Sequence, residues 1–165
     1  MKTRKVWAGF IVLFMLAAIP LGLLAANQAQ AANGKSIVGA WYVDTVGAPF
    51  EPRGIVFHAD GTLVLTTPDA AEAANSSSAG MGSWVVTRND NARGRFFEVN
   101  ADKTANQFTS ILVVTFEFTV SGDTFTGPAS ASYYDGDRHL VAGPFPATLR
   151  GQRFTVDSPI PDPIT

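Results

Sequence analysis

From Ile37 onward, apolar and polar residues alternate in short runs broken by turn residues, a pattern that predicts strands and leaves no stretch with helical spacing long enough to hold a helix alone. The first strand is read at Ile37 to Thr45 and stops at Gly47-Ala48-Pro49. Strands at Arg53 to His58 and Thr62 to Thr67 flank Asp60-Gly61, a tight hairpin signal. Leu63 and Leu65 share one face of the third strand, with Thr62, Val64 and Thr66 on the other. Further strands are read at Met81 to Arg88, Arg93 to Asn100, Gln107 to Val120, Thr124 to Tyr134, Arg138 to Leu149 and Gly151 to Val156. Asn89-Asp90-Asn91, Ser121-Gly122-Asp123 and Asp135-Gly136-Asp137 mark turns between them.

The run Gln107 to Val120 is the clearest of these. Phe108, Leu112, Val114, Phe116, Phe118 and Val120 lie on one face, with Thr109, Thr115, Glu117 and Thr119 opposite. One buried and one wet face is the signature of an antiparallel sheet. In the next strand Phe125, Gly127, Ala129, Ala131 and Tyr133 share a side. Pro144 and Pro146 interrupt the strand after it, so the ladder must be bulged, bent or at an edge there. Eight or nine strands in one meander close most economically into an all-β antiparallel up-and-down barrel, because closure removes exposed edges. A two-sheet β-sandwich satisfies the same alternation. Between the third and fourth strands, Pro68 to Gly80 is small and polar and reads as the longest loop. Asp69 and Glu72 in it have capping-box spacing for a helical turn, and such a loop can form a lid over a barrel mouth.

The N-terminus has a different character. Lys2, Arg4 and Lys5 precede an apolar run from Val6 to Ala26, and Ala29-Gln30-Ala31 is a small-x-small cleavage site. Residues 1–31 therefore read as a secretory signal, and the domain is expected in a secreted, periplasmic or cell-surface location. The run approaches the ~20 residues that span a bilayer, so an uncleaved anchor is the alternative and the only route to a membrane. Residues 32–36 form a linker, residues 37–156 the barrel domain, and residues 157–165 a proline-rich tail expected to be extended.

Removing the signal leaves 9 basic residues against 14 acidic ones, a net charge of −5. That excludes the basic surface which nucleic acid requires. The chain has no Cys, so the domain is held by its core without disulfides. At about 130 residues the exported part is large enough for that.

Candidate chemistry concentrates on the inner face. Phe57, Leu63, Leu65, Phe97, Phe108, Leu112, Phe116, Phe118 and Phe125 are read as pointing inward, where they either fill the core or line a site for one small apolar ligand. Glu98 and Glu117 alternate with aromatics and are read as outward and solvated. Were either inside, it would become a candidate for proton transfer, as would Tyr133 on the inferred inner face. His58 and His139 flank turns and have no ligand spacing around them, so no metal or other cofactor is expected. No Gly-x-Ser-x-Gly elbow is present to suggest hydrolysis.

Gly39-x-Trp41 opening the first strand, its echo at Gly82-x-Trp84, the Phe57-His58-Ala59-Asp60-Gly61-Thr62 hairpin and a basic residue near the last strand resemble the lipocalins and the wider calycin barrels. They are similar in particular to small bacterial exported lipocalin-like domains, and also to allene-oxide-cyclase-type barrels. The resemblance implies that Trp41 lies across the barrel floor with an Arg over it, Arg150 or Arg153, of which Arg153 is preferred. It implies architecture more than activity; the inward phenylalanines and the long loop point to carriage of a small hydrophobic molecule. The alternatives are a cyclase or isomerase using the same interior, and a filled barrel serving as a surface interaction protein.

Overall fold

The computed structural model of the chain describes residues 37–47, 53–66 and 75–159. Nine strands run in chain order: β1 (Gly39–Val46), β2 (Arg53–Phe57), β3 (Thr62–Leu65), β4 (Asn75–Ser77), β5 (Gly80–Arg88), β6 (Asn91–Asp102), β7 (Gln107–Ser121), β8 (Thr124–Tyr134) and β9 (Leu140–Phe154). Neighbours pair antiparallel in the order β6-β5-β3-β2-β1-β9-β8-β7, and β6 pairs again with β7. Eight strands thereby close into an up-and-down barrel, consistent with a lipocalin-like barrel fold, and the sandwich alternative falls.

β4 is an addition to the eight. It pairs with β6 at Asn100, Ala101 and Asp102, beyond the point where β5 stops. The Ser78 amide donates to the Val99 carbonyl at 2.9 Å, so β4 prolongs the line of β5 after a break. Asn75 to Ser77 lie within the stretch expected to be loop; they form a strand because the upper end of β6 otherwise presents a row of unpaired backbone groups. The helical turn expected at Asp69 to Ala74, the linker, the N-terminal signal and the end of the tail lie outside the described residues.

The two last strands expected from the sequence are one, β9, running unbroken from Leu140 to Phe154. Pro144 fits because the ladder with β8 shifts register around Ser132, so no amide is required of it, while Pro146 lies in the ladder opposite Ser130.

Two face assignments are corrected. Phe97, read as inward, is 40% exposed, while Phe96 beside it is 4% exposed and packs in the core. The inner row of β6 is therefore Ala92, Gly94, Phe96 and Glu98. Gly94 shows why the parity runs this way: a Cβ there would come 2.5 Å from the Phe116 ring, so the ring takes the space a side chain would need. Phe108, also read as inward, is 47% exposed. A bulge skips Thr109, so Asn100 faces Ser110 but Ala101 faces Phe108, and the alternation inverts beyond it.

The β2–β3, β5–β6 and β7–β8 turns, the start of β1 and the end of β9 gather at one end of the barrel. Aromatic rings fill that end. Phe118 stacks on Phe125 at 4.2 Å between centroids, Trp41 lies 5.1 Å from Phe125, and Phe57 meets Phe118 and Trp84 edge-on at 5.5 and 5.6 Å. Each of these rings is buried, and pairs in these geometries add to the stability that burial alone provides.

Candidate functional site

Both indoles of the Gly-x-Trp pairs belong to this floor. Trp41 donates its Nε1–H to the Ile37 carbonyl at 2.7 Å. Trp84 donates its Nε1–H between the His58 and Thr62 carbonyls, 3.1 Å from each, and so ties β5 to the β2–β3 turn. Arg153 places its guanidinium 4.2 Å from the Trp41 ring centroid, donates to the Val38 carbonyl at 3.1 Å and pairs with Asp123 at 2.9 Å. Gly39 adopts φ +132°, and a Cβ there would sit 3.1 Å from the Arg153 guanidinium. A residue without a side chain is thus required twice over at that position. Arg150 lies elsewhere on β9, in register with Asp44 and Thr126.

The opposite end has another composition. Glu98, read as outward, points into the barrel and is 1% exposed. It is tolerated there because Arg53 reaches it, Nη1 to Oε1 at 3.3 Å. A buried carboxylate without a cation would cost several kcal/mol. Arg53 is on β2 and Glu98 on β6, with β3 and β5 between them, so the pair reaches across the interior. One step nearer the mouth, Ser77 donates its hydroxyl to Asn100 Oδ1 at 2.8 Å, and Asn100 Nδ2 donates to Ser110 Oγ at 3.0 Å. That chain of polar groups links β4, β6 and β7 across the rim.

Facing these groups is the upper inner wall of β7, β8 and β9. Leu112 and Val114 alternate along β7, Ala129, Ala131 and Tyr133 along β8, and Ala147 adds a third small side chain from β9. Leu112 pairs in register with both Glu98 and Tyr133, so the carboxylate and the phenol flank one leucine on adjacent strands. Ala131, Tyr133 and Ala147 are only half-buried, in contrast to the floor. The result is an apolar wall of small side chains opposed by a carboxylate, a guanidinium, an amide and two hydroxyls.

The structure thus assembles two groups out of the residues picked from the sequence. Phe57, Leu63, Leu65, Phe116, Phe118 and Phe125 are buried toward the floor or the middle of the core, while Leu112, Glu98 and Tyr133 meet near the mouth. Glu117 is on the outer face and takes no part. Arg53, Ser77, Asn100 and Ser110 carry no signal in a sequence reading that looks for apolar alternation. The pattern that could have found two of them is the single inner row Phe96-x-Glu98-x-Asn100, once its parity is known. Among the described residues no group of three or more His, Cys, Asp and Glu is placed to hold a metal ion. His58 and His139 are exposed beside turns. His139 lies 3.4 Å from Asp135.

Fold and site together define a closed antiparallel barrel, plugged with aromatics at one end and polar-rimmed at the other. Set against known proteins, the chain matches no family model, no curated protein and no solved structure.

Proposed function

We propose that this is an exported lipocalin-like barrel that binds a small hydrophobic molecule against the upper inner wall, with any polar end of the ligand turned to the Arg53–Glu98 pair. The observation that carries the reading is that pair: a carboxylate 1% exposed, held by an arginine at the polar end of a mainly apolar barrel. Polar groups few in number and fixed in place, set in a mainly apolar concavity, are what a small-molecule site needs for orientation. The signal-like residues 1–31 support export, and an aqueous compartment outside the cytoplasm is where a carrier of poorly soluble molecules is useful.

The test is retention. Purified protein is incubated with a panel of fatty acids, terpenoids and pigments and examined by native mass spectrometry, with one bound molecule per chain expected. Ala131→Trp, which fills the small-residue wall, should abolish retention while the circular dichroism of the barrel is kept. A panel from which nothing is retained overturns the reading in favour of a filled barrel.

A second reading, a cyclase or isomerase, is favoured by one finding, the inward position of Glu98 beside Leu112 and Tyr133. A carboxylate and a phenol on one wall can move a proton within a ligand held by shape. Glu98→Gln and Tyr133→Phe separate the readings: an enzyme loses turnover of a retained ligand while still holding it, whereas a carrier has no turnover to lose.

A further inference from the structure

A concavity of about 520 Å³ lies on the outside of the barrel, where β5, β6, β7 and β8 cross its flank. Tilted strands give a barrel a waist, and long side chains at its borders deepen the hollow. One row of outward residues crosses it in register: Ser83 faces Arg95, Arg95 faces Thr115, and Thr115 faces Ser130. At roughly 4.8 Å between strands, that row is about 14 Å long. The next row pairs Val85 with Arg93 and Arg93 with Glu117, and Pro128 lies beside it.

The two arginines and three hydroxyls of these rows are the only cationic and hydroxyl side chains of the hollow, and none of them has a side-chain partner among the described residues. By contrast, Thr62 and Thr124 each use their hydroxyl in a bond at a turn. A domain with a net charge of −5 after removal of residues 1–31 thus keeps two unpaired guanidinium groups side by side in a groove.

From this row we infer a second binding site, on the outside of the barrel, for an acidic oligosaccharide: a hydroxyl-rich chain carrying isolated carboxylates. Arg95, with Arg93 beside it, meets the carboxylate, because a guanidinium fork matches that group in geometry and charge. Ser83, Thr115 and Ser130 exchange hydrogen bonds with sugar hydroxyls, since each both donates and accepts. Val85 and Pro128 offer apolar surface to the C–H face of a ring. Glu117 narrows the choice. A carboxylate inside the groove accepts hydrogen bonds from sugar hydroxyls, but it repels a ligand with charge at every position. Isolated acid groups on a polyol fit, and a dense polyanion does not. The volume lies within the range of small-ligand sites.

The site is independent of the interior, and so is its test. Full-length protein is titrated by calorimetry at low salt with a tetramer of galacturonic acid, with its methyl ester, with heparin, and with a doubly phosphorylated peptide. Binding of the free acid is expected, with the ester, heparin and the peptide each weaker. Arg95→Gln should lower the affinity for the free acid by about tenfold or more, as loss of a charge-assisted pair does. Glu117→Gln should strengthen heparin relative to the tetramer. Arg95→Gln should leave retention of an interior ligand unchanged, so failure here and failure of the carrier reading are distinguishable. No binding of the free acid, binding indifferent to Arg95, or tighter binding of the phosphopeptide or heparin would each overturn the inference.

Discussion

The two ends of this barrel are built from the same strands yet obey different chemistry. At the floor, Trp41, Phe57, Trp84, Phe118 and Phe125 bury apolar surface against one another, and each indole N–H finds a backbone carbonyl. At the mouth, Glu98, Arg53, Asn100, Ser77 and Ser110 place charge and hydrogen-bonding capacity inside the same wall. The floor is satisfied without any partner from outside. The mouth instead sets polar side chains beside the small, half-buried Ala131 and Ala147. On the proposed reading, stability and recognition are divided along the barrel axis, with rigid packing below holding polar groups in place above.

Damage to the floor should have the largest effect. Trp41→Ala should cost about 3–5 kcal/mol in urea unfolding, since it removes a fully buried ring. It also removes the indole bond to Ile37 and the seat of Arg153. A loss below 1 kcal/mol would show that the floor is not the stabilising end.

Cutting the ion pair comes next. Glu98→Leu should cost about 3 kcal/mol, toward the low end for a broken buried pair because Arg53 keeps some solvent contact. The double variant Arg53→Met, Glu98→Leu should recover most of that in the same unfolding assay while ligand retention stays lost. If the double variant still binds the panel normally, the pair is structural only.

Arg153→Gln should cost about 0.5–2 kcal/mol, the worth of a guanidinium over an indole. It should leave ligand retention at the mouth unaltered, and a change there would join the two ends. Tyr133→Phe should shift stability by less than about 0.5 kcal/mol, yet weaken any ligand whose polar end reaches the rim. Equal effects on both readouts would blur the division.

The smallest effect is electrostatic. Asp60 at the β2–β3 turn accepts bonds from the Thr62 hydroxyl at 2.6 Å and the Thr62 amide at 2.8 Å. The hydroxyl first and the amide second hold its carboxyl below the ordinary aspartate range. A depressed folded value means that the bonds stabilise the fold above the unfolded pKa, and that this is lost as pH falls through the folded one. Carboxyl NMR titration should therefore place Asp60 below a reference aspartate, and Thr62→Val should raise it. At an exposed turn the change in stability should be slight.

Much of the fold was legible in residues alone. Leu63-x-Leu65 and Leu112-x-Val114-x-Phe116-x-Phe118-x-Val120 have one greasy face each, and water allows only one way to bury it. Asp60-Gly61 and Ser121-Gly122-Asp123 sit where hairpin turns form, because their residues accept the turn conformations at little cost. Gly39, Trp41 and Arg153 stand in a meeting that a short motif and one basic residue pointed toward.

The candidate site was much less visible. Phe96-Phe97 places two aromatics in succession, so alternation cannot choose the inner one, and a wrong choice puts Glu98 on the wrong side. Only the neighbouring strand decides it: Phe116 packs over Gly94, and Arg53 arrives from three strands away to neutralise the carboxylate. The bulge that turns Phe108 outward likewise depends on how β7 meets β6. Local chemistry determined that this chain makes strands, where it turns and which runs are greasy. Closure decided which end is plugged, which carboxylate is enclosed and which hydroxyls from neighbouring strands line up with Arg95, because those are contacts between residues far apart in sequence and no periodicity within one strand encodes them.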